Sequence, residues 1–397
     1  MKKFIQNTFF VLLSVGFWGY YSGLRLNNYQ EFINNILNKY SVEKEAIKHK
    51  KNPSERTLEP KGNAREVTVN ERQPLPKNPF ADIDKQARQC PQKAETSIAS
   101  LARYLEKNTA SDLEKARAIY VWLTENISYD DDEFNNDKFS DMSAESVLAR
   151  RKTVCEGISN LYLALGEAMN LKIEKVVGYS KGYSYSVGST FKEANHAWNV
   201  IKIDGNWRIF DATWGQGNGT KVDGKLVSKK EFDDYWFNVD PYEAIFSHLP
   251  EDSKWGFVQP ALTLKSYERM PEIDHDYFNM GFDGQETYQD ILTNKNLAFP
   301  KSFDLDTYVE MWFAPKYETL FIGESYPFKF YIPQGLSAAI IDNDNNWTYF
   351  EAQKGQFKAN YTPNTEGPLH ISIKYERGNE RHKGSYSTIL IYNVKKK

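Results

Sequence analysis

Two cysteines are all that this chain carries, so disulfides cannot be what holds a folded body of its size together. A single bridge from Cys90 to Cys155 is formally available, but Cys155 has a better use, developed below. Charge of one sign is missing too: 50 Lys and Arg stand against 53 Asp and Glu, and a net charge of -3 gives no electrostatic footprint for nucleic acid or another polyanion. No internal repeat or low-complexity tract appears, which sets aside solenoids and arrays. What is present is aromatic side chain, 15% of the chain and widely spread, a composition that suits β-rich cores and extended binding surfaces. At about 100 to 200 residues per domain, the length predicts two or more folded units.

The N-terminal residues stand apart. Lys2 and Lys3 precede an uncharged stretch from Phe4 to Leu24 that reads as an export signal or a membrane anchor. Its densest apolar part, Phe9 to Tyr21, is short for a spanning helix, yet Phe17, Trp18, Tyr20 and Tyr21 suit an interfacial belt. Small residues at Ser14 and Gly16 equally suit cleavage, and both readings put the body of the protein outside the cytoplasm, anchored or secreted. Residues 25–84 are polar, with Pro53, Pro60, Pro74, Pro76 and Pro79, and read as a stalk; Phe32, Ile33, Ile36, Leu37 and Tyr40 predict one helix over about 29–50.

A folded domain is expected over 85–260. Leu113, Ala116, Tyr120, Leu123 and Ile127 predict a helix near 112–126, opened by a Ser111/Glu114 capping box. A second helix is expected to start at Thr153 as N-cap, with Glu156 reaching back and Ile158, Leu161, Tyr162, Leu165 and Met169 buried. Strands are expected at Lys172–Gly178, Ala197–Ile203 and Trp207–Thr213, the last two joined by Asp204-Gly205, a strong two-residue hairpin signal. After a connecting segment over 261–304, residues 305–397 contain only short strand-like runs between turn residues, the pattern of an immunoglobulin-like β-sandwich.

Chemistry concentrates on three residues. With Thr153 as cap, Cys155 is the second residue of its helix, where unpaired backbone N–H groups and the helix dipole favour a thiolate and can also receive an oxyanion. Gly157 leaves room beside it. His196 starts a strand and is the candidate proton donor to a leaving amine. If Asp204 and Gly205 are the loop, Ile203 opposes Asn206, Trp198 opposes Asp211 and His196 opposes Thr213, so His196 and Asp211 are diagonal neighbours on one face. Asp211 can then orient the imidazole; a three-residue loop would turn it to the other face.

The pieces WLTENISYD, TVCEGISNLYLAL, GYSKGY, NHAW and WRIFDATWG resemble the core of the transglutaminase-like superfamily. More narrowly, SAESVLARRKTVCEGISNLY, the GYSKGY loop and DYWFNVDPYEAIFSHLPEDSKW resemble the kyphoscoliosis-peptidase-like branch, which includes hillarin-type and cytokinesis-linked proteins. The resemblance spans about 110–260 and implies an α+β papain-like core, with Cys155 as nucleophile, His196 as general acid/base and Asp211 as its orienting partner. One departure is Ile158, where many relatives carry an aromatic.

Trp198 either walls a substrate channel or belongs to the core, and Tyr129 either donates to the oxyanion or packs. The Gly-, Ser- and Tyr-rich residues 179–194 are expected to shape access to the site. Asp342, Asp344 and Asn346 lack the glycine and glutamate of a calcium loop and read as a hairpin turn; Asp274, His275 and Asp276 read as a solvated loop. The implied function is a cysteine-dependent hydrolase or acyltransferase that cleaves protein or peptide amides through a thioester, with no metal or organic cofactor required. The alternative is a catalytically silent scaffold at the cell envelope.

Overall fold

A computed structural model describes residues 78–397 apart from 184, 187, 295, 304–306, 333–334 and 376–385, all within one unit, Gly62–Lys397. The apolar N-terminal run, most of the expected stalk and the helix over 29–50 lie outside the described residues. No helix among the described residues is long and apolar enough to cross a membrane.

Helices lead the chain: α1 (Ala81–Arg88), α2 (Ile98–Leu105) and α3 (Asp112–Asn126). The first described helix thus starts inside the segment read as stalk. Asp84 is buried and grips the buried guanidinium of Arg117 on α3 through bonds of 2.7 and 2.8 Å, which makes α1 part of the folded body. The capping box at α3 forms with a shift: Ser111 Oγ accepts the Glu114 N–H at 3.2 Å, while the Glu114 carboxylate takes the N–H of Ala110 rather than that of the cap. Next come β1 (Ser128–Tyr129), α4 (Asp131–Asn136), α5 (Ala144–Arg150), β2 (Lys152–Thr153) and α6 (Cys155–Ala168).

Then β3 (Ile173–Ser180), β4 (His196–Ile203) and β5 (Asn206–Phe210) form a sheet that is completed by later strands. A small hairpin, β6 (Gly217–Val222) and β7 (Lys225–Lys230), precedes β8 (Phe237–Val239), α7 (Pro241–Ala244) and β9 (His248–Pro250). The five-stranded sheet runs β8-β5-β4-β3-β9 and is antiparallel throughout. Helix α6 lies on it, with Asn199 donating to the Ser159 carbonyl at 3.2 Å, and α3 packs behind α6, where Tyr162 bonds the Ala116 carbonyl at 2.8 Å. Trp122, Tyr120, Tyr162, Trp198 and Phe210 fill this core, each large side chain worth about 1.5–3 kcal/mol of burial.

The β4–β5 hairpin has the expected register, Ile203 facing Asn206 and Asn199 facing Phe210. Asp204 and Gly205 both take positive φ, 49° and 83°, which is what a two-residue turn that continues the strand twist demands. Pairing stops at Phe210, so the expected Trp198–Asp211 and His196–Thr213 pairs do not form: the Asp211 N–H turns to the Trp236 carbonyl and its C=O accepts from Gly215.

Residues 261–304 do more than connect. α8 (Leu264–Tyr267), α9 (His275–Asn279) and α10 (Gly284–Thr293) bury Tyr267, Met270, Ile273, Tyr277, Phe278, Tyr288 and Ile291 in a core of their own with Ile245, Phe246 and Leu249. A sandwich follows, built from β10 (Lys301–Ser302), β11 (Glu310–Phe313), β12 (Thr319–Phe321), β13 (Tyr326–Tyr331), β14 (Gly335–Ile341), β15 (Trp347–Tyr349), β16 (Glu351–Gln353), β17 (Gln356–Tyr361), β18 (Gly367–Tyr375) and β19 (Ser387–Lys395). One sheet is ordered β10-β19-β18-β14-β15 with β12 also on β19; the other is β11-β13-β17-β16. The run Trp347–Glu351 is two strands, because buried Phe350 marks the crossing from the first sheet to the second. Asp342 takes the N–H groups of Asp344 and Asn346 and closes the β14–β15 turn, as its sequence suggested. The fold is therefore α+β: helices packed on an antiparallel sheet, followed by a β-sandwich.

Candidate active site

Cys155 is the first residue of α6, one position earlier than the capping argument put it. Thr153 is drawn into β2 instead, paired in parallel with Tyr129, and its carbonyl accepts the Asp130 N–H at 2.9 Å. Extended Val154 occupies the cap position without a side-chain hydrogen bond, and Glu156 pairs with Lys175 rather than reaching back. No side chain caps this helix end, so its first-turn N–H groups stay available to a reacting oxygen. Gly157 is required there, since a Cβ would collide with the Thr153 and Val147 side chains.

His196 opens β4 opposite Gly178 of β3, and Asp211 lies one residue beyond β5. Their side chains meet: His196 Nε2 is 2.6 Å from Asp211 Oδ2. The other oxygen, Oδ1, accepts the N–H groups of Thr213 at 2.8 Å and Trp214 at 3.0 Å. With Nε2 committed to the carboxylate, Nδ1 is the ring nitrogen left for Cys155, whose nearness favours the protonated imidazole. Burial alone would lower the His196 pKa, but the Asp211 charge and hydrogen bond, with the Cys155 contribution, outweigh it and raise the pKa to about 10. Asp211 shows the converse: burial would raise its pKa, yet His196 and then His248 hold it well below the usual carboxylate range.

His248, at the start of β9, is a residue that sequence reasoning passed over. Its Nε2 lies 3.0 Å from the same Asp211 Oδ2, and Ser247 Oγ lies 2.8 Å from its Nδ1. Burial lowers its pKa despite Asp211, which keeps the ring neutral. A neutral ring with these neighbours donates from Nε2 to the carboxylate and accepts the Ser247 hydroxyl at Nδ1. The cue was only its place in the run IFSHLPED.

Trp198 belongs to the core. It is 2% exposed, stacks on His196 with centroids 5.9 Å apart, and its buried indole N–H has no partner among the described residues. Trp214 is the aromatic that walls the site, 5.8 Å from His196 and 4.7 Å from Trp236. Tyr129 lines the same space, and burial, then the nearby Cys155, push its pKa up, so the phenol stays protonated and able to donate. Around His196 opens a cleft of about 490 Å³, with Tyr129, Phe134, Tyr183, Trp214 and Trp236 in its walls and Lys181 and Gly182 from the GYSKGY loop at one side.

Asp274, His275 and Asp276 are not a solvated loop. Asp274 caps α9, and His275 bonds Asp274 at 3.0 Å and Asp233 at 3.3 Å beside the cleft. Burial would lower its pKa, but Asp233 and Asp274 raise it to about 10, so its charge is matched locally. Ligand-type atoms of this trio, and those of His196, Asp211 and His248, each lie within 4.8 Å of one another, but in both sets the imidazoles already serve carboxylates.

Residues 99–212 match the model of the Transglutaminase-like superfamily. Kyphoscoliosis peptidase of Mus musculus is 27% identical over 258 residues, covering 64% of this chain and 38% of that protein. The Lim and transglutaminase domain protein ltd-1 of Caenorhabditis elegans is 29% identical over 235 residues, 55% of this chain and 32% of that protein. The chain thus spans about a third of these relatives' length. Among solved structures, a putative cysteine protease from Cytophaga hutchinsonii is 25% identical, covering 33% of this chain and 42% of its own, with a TM-score of 0.23.

Proposed function

Because its core belongs to the transglutaminase-like superfamily, in the kyphoscoliosis-peptidase-like branch, we propose that this protein is a cysteine-dependent amide hydrolase or acyltransferase acting on proteins or peptides. The observation that carries the reading is the 2.6 Å contact of His196 with a fully hydrogen-bonded Asp211, beside a cysteine at an uncapped helix start. Cys155 sulfur attacks the amide carbonyl, a C–S bond forms, and the oxyanion is received by first-turn N–H groups of α6. Collapse breaks the C–N bond while His196 gives its proton to the leaving amine. The thioester is then attacked by water, or by an incoming amine, whose proton returns to His196. Asp211 keeps the imidazole oriented and stabilises its charged form.

The test is incubation of the protein with a library of glutamine-containing peptides, followed by mass spectrometry of Cys155. Acyl adducts on Cys155, with release of ammonia or a peptide fragment, are expected. Turnover that survives Cys155→Ala would end the reading.

For its location, the reading is an extracytoplasmic enzyme, anchored or secreted, supported by Lys2, Lys3 and the uncharged run Phe4–Leu24. Protease accessibility in intact cells tests it; full protection, lost only on lysis, would reverse it.

A further inference from the structure

Lys181 is a buried amine that the mechanism does not use. It follows the Ser180–His248 pair that joins β3 to β9, and its own N–H bonds the Ser247 carbonyl at 2.9 Å, so its backbone is fixed one step from the imidazole that supports Asp211. Lys181 is 7% exposed and lines the active-site cleft, and also a second cleft of about 680 Å³ that shares Trp214, Trp236, Asp274 and His275 with the first.

An ammonium has three donors. Here one goes to the Met270 carbonyl at 3.0 Å, and the charge lies over the rings of Tyr267 and Tyr185 at 4.6 and 5.4 Å. Among the described residues no carboxylate reaches it within ion-pair distance, and Glu272 acts on it only through space. A buried charge without a counter-ion is costly, and burial accordingly pulls the pKa of Lys181 down to about 8.

The rest of the cleft's charge sharpens the contrast. Lys229 is paired with Glu231 at 2.6 Å, and His275 is matched by Asp274 and Asp233. Lys230, like Lys181, has no carboxylate partner among the described residues, and donates to the backbone carbonyls of Glu125 and Ile127. Two lysines on the walls are thus left without a carboxylate, in a cleft whose lining contains one acidic residue, Asp274, already engaged with His275.

We propose that this cleft selects a substrate bearing a carboxylate, and that Lys181 is the residue that receives it. The proposal rests on the reading of the cleft as the substrate site and names what enters it: an acidic peptide segment, its carboxylate supplied by a side chain or by a chain terminus. Lys230, nearer solvent, adds long-range attraction. Lys181 is a specificity-determining residue, with no part in bond making.

The experiment is equilibrium binding to the full chain carrying Cys155→Ala, with fluorescent glutamine peptides that differ only in Glu or Gln at neighbouring positions, each with a free or an amidated C-terminus. The carboxylate form is expected to bind about tenfold tighter or more, and the preference to vanish in Lys181→Met, which keeps length and removes charge. Loss of preference on amidation assigns the terminus; loss on Glu-to-Gln exchange assigns the side chain. A structural role for Lys181 would lower the melting temperature without touching the ratio, and that outcome overturns the proposal. So does a preference lost in Lys230→Gln but kept in Lys181→Met, or no preference in the unsubstituted cleft. Selective binding without turnover by the Cys155 chain would sink the enzymatic reading and leave this one intact.

Discussion

His248 reaches the same oxygen of Asp211 that His196 uses, at 3.0 Å against 2.6 Å, so one carboxylate oxygen is shared by two imidazoles from different strands. The neutral ring fixes the carboxylate that in turn fixes the charged one. His248→Ala is therefore expected to lower kcat with little effect on KM and to cost about 1–3 kcal/mol of stability, because a buried charged oxygen loses a donor. His248→Gln, whose amide can donate in its place, is expected to recover part of both. Steady-state kinetics and denaturant melts read the two effects.

Stability should depend on pH through the His196–Asp211 pair. His196 is raised from an ordinary 6.5 to about 10, so its contribution is complete below 6.5 and is lost as pH climbs toward about 10. Asp211 is lowered from 3.8, so its contribution is complete above that value and is lost as the solution is acidified. Urea denaturation from pH 4 to 10 is expected to peak in the acidic half of that range. The alkaline decline should flatten in His196→Gln, and an unchanged slope would contradict the pairing.

Gly157→Ala places a methyl against Thr153 and Val147, behind the residue that carries the thiol. Overpacking of this kind costs about 1–3 kcal/mol. Relief by movement of the helix start would displace Cys155, so alkylation by iodoacetamide should slow relative to the unsubstituted chain.

Trp198→Phe removes an indole N–H that is buried without a partner while it keeps an aromatic ring on His196. A stability change within about 1 kcal/mol is expected, since the lost contacts are offset by the unsatisfied donor that goes with them. Trp198→Ala should instead cost about 3–5 kcal/mol. Turnover by the Phe variant close to that of the unsubstituted chain would confirm a core role; a large KM increase would return Trp198 to the channel wall.

What was legible in the sequence was local. Asp204-Gly205 fixes the hairpin register as far as Asn199 and Phe210, enough to predict that His196 and Asp211 meet, while the last step is made by distant Trp236, whose carbonyl takes the Asp211 N–H. Where the answer depended on distant pairing, it was hidden. Thr153 looks like a cap until β1 claims its backbone, and His248 acquires meaning only when β9 joins β3. The residues 261–304 looked like a connector because Tyr267, Tyr277 and Phe278 sit in helices of four or five residues and Met270 and Ile273 between them, too short and broken for a periodic stripe.

The sandwich places β19 between β18 and β10, with β12 against its far end. During synthesis, then, strands from the middle of this domain must wait for residues 387–395 to leave the ribosome, whereas the sheet that holds His196 and Asp211 draws only on residues 173–250. The sheet that carries the candidate site can take shape first, and the sandwich closes like a door with its bolt fitted last.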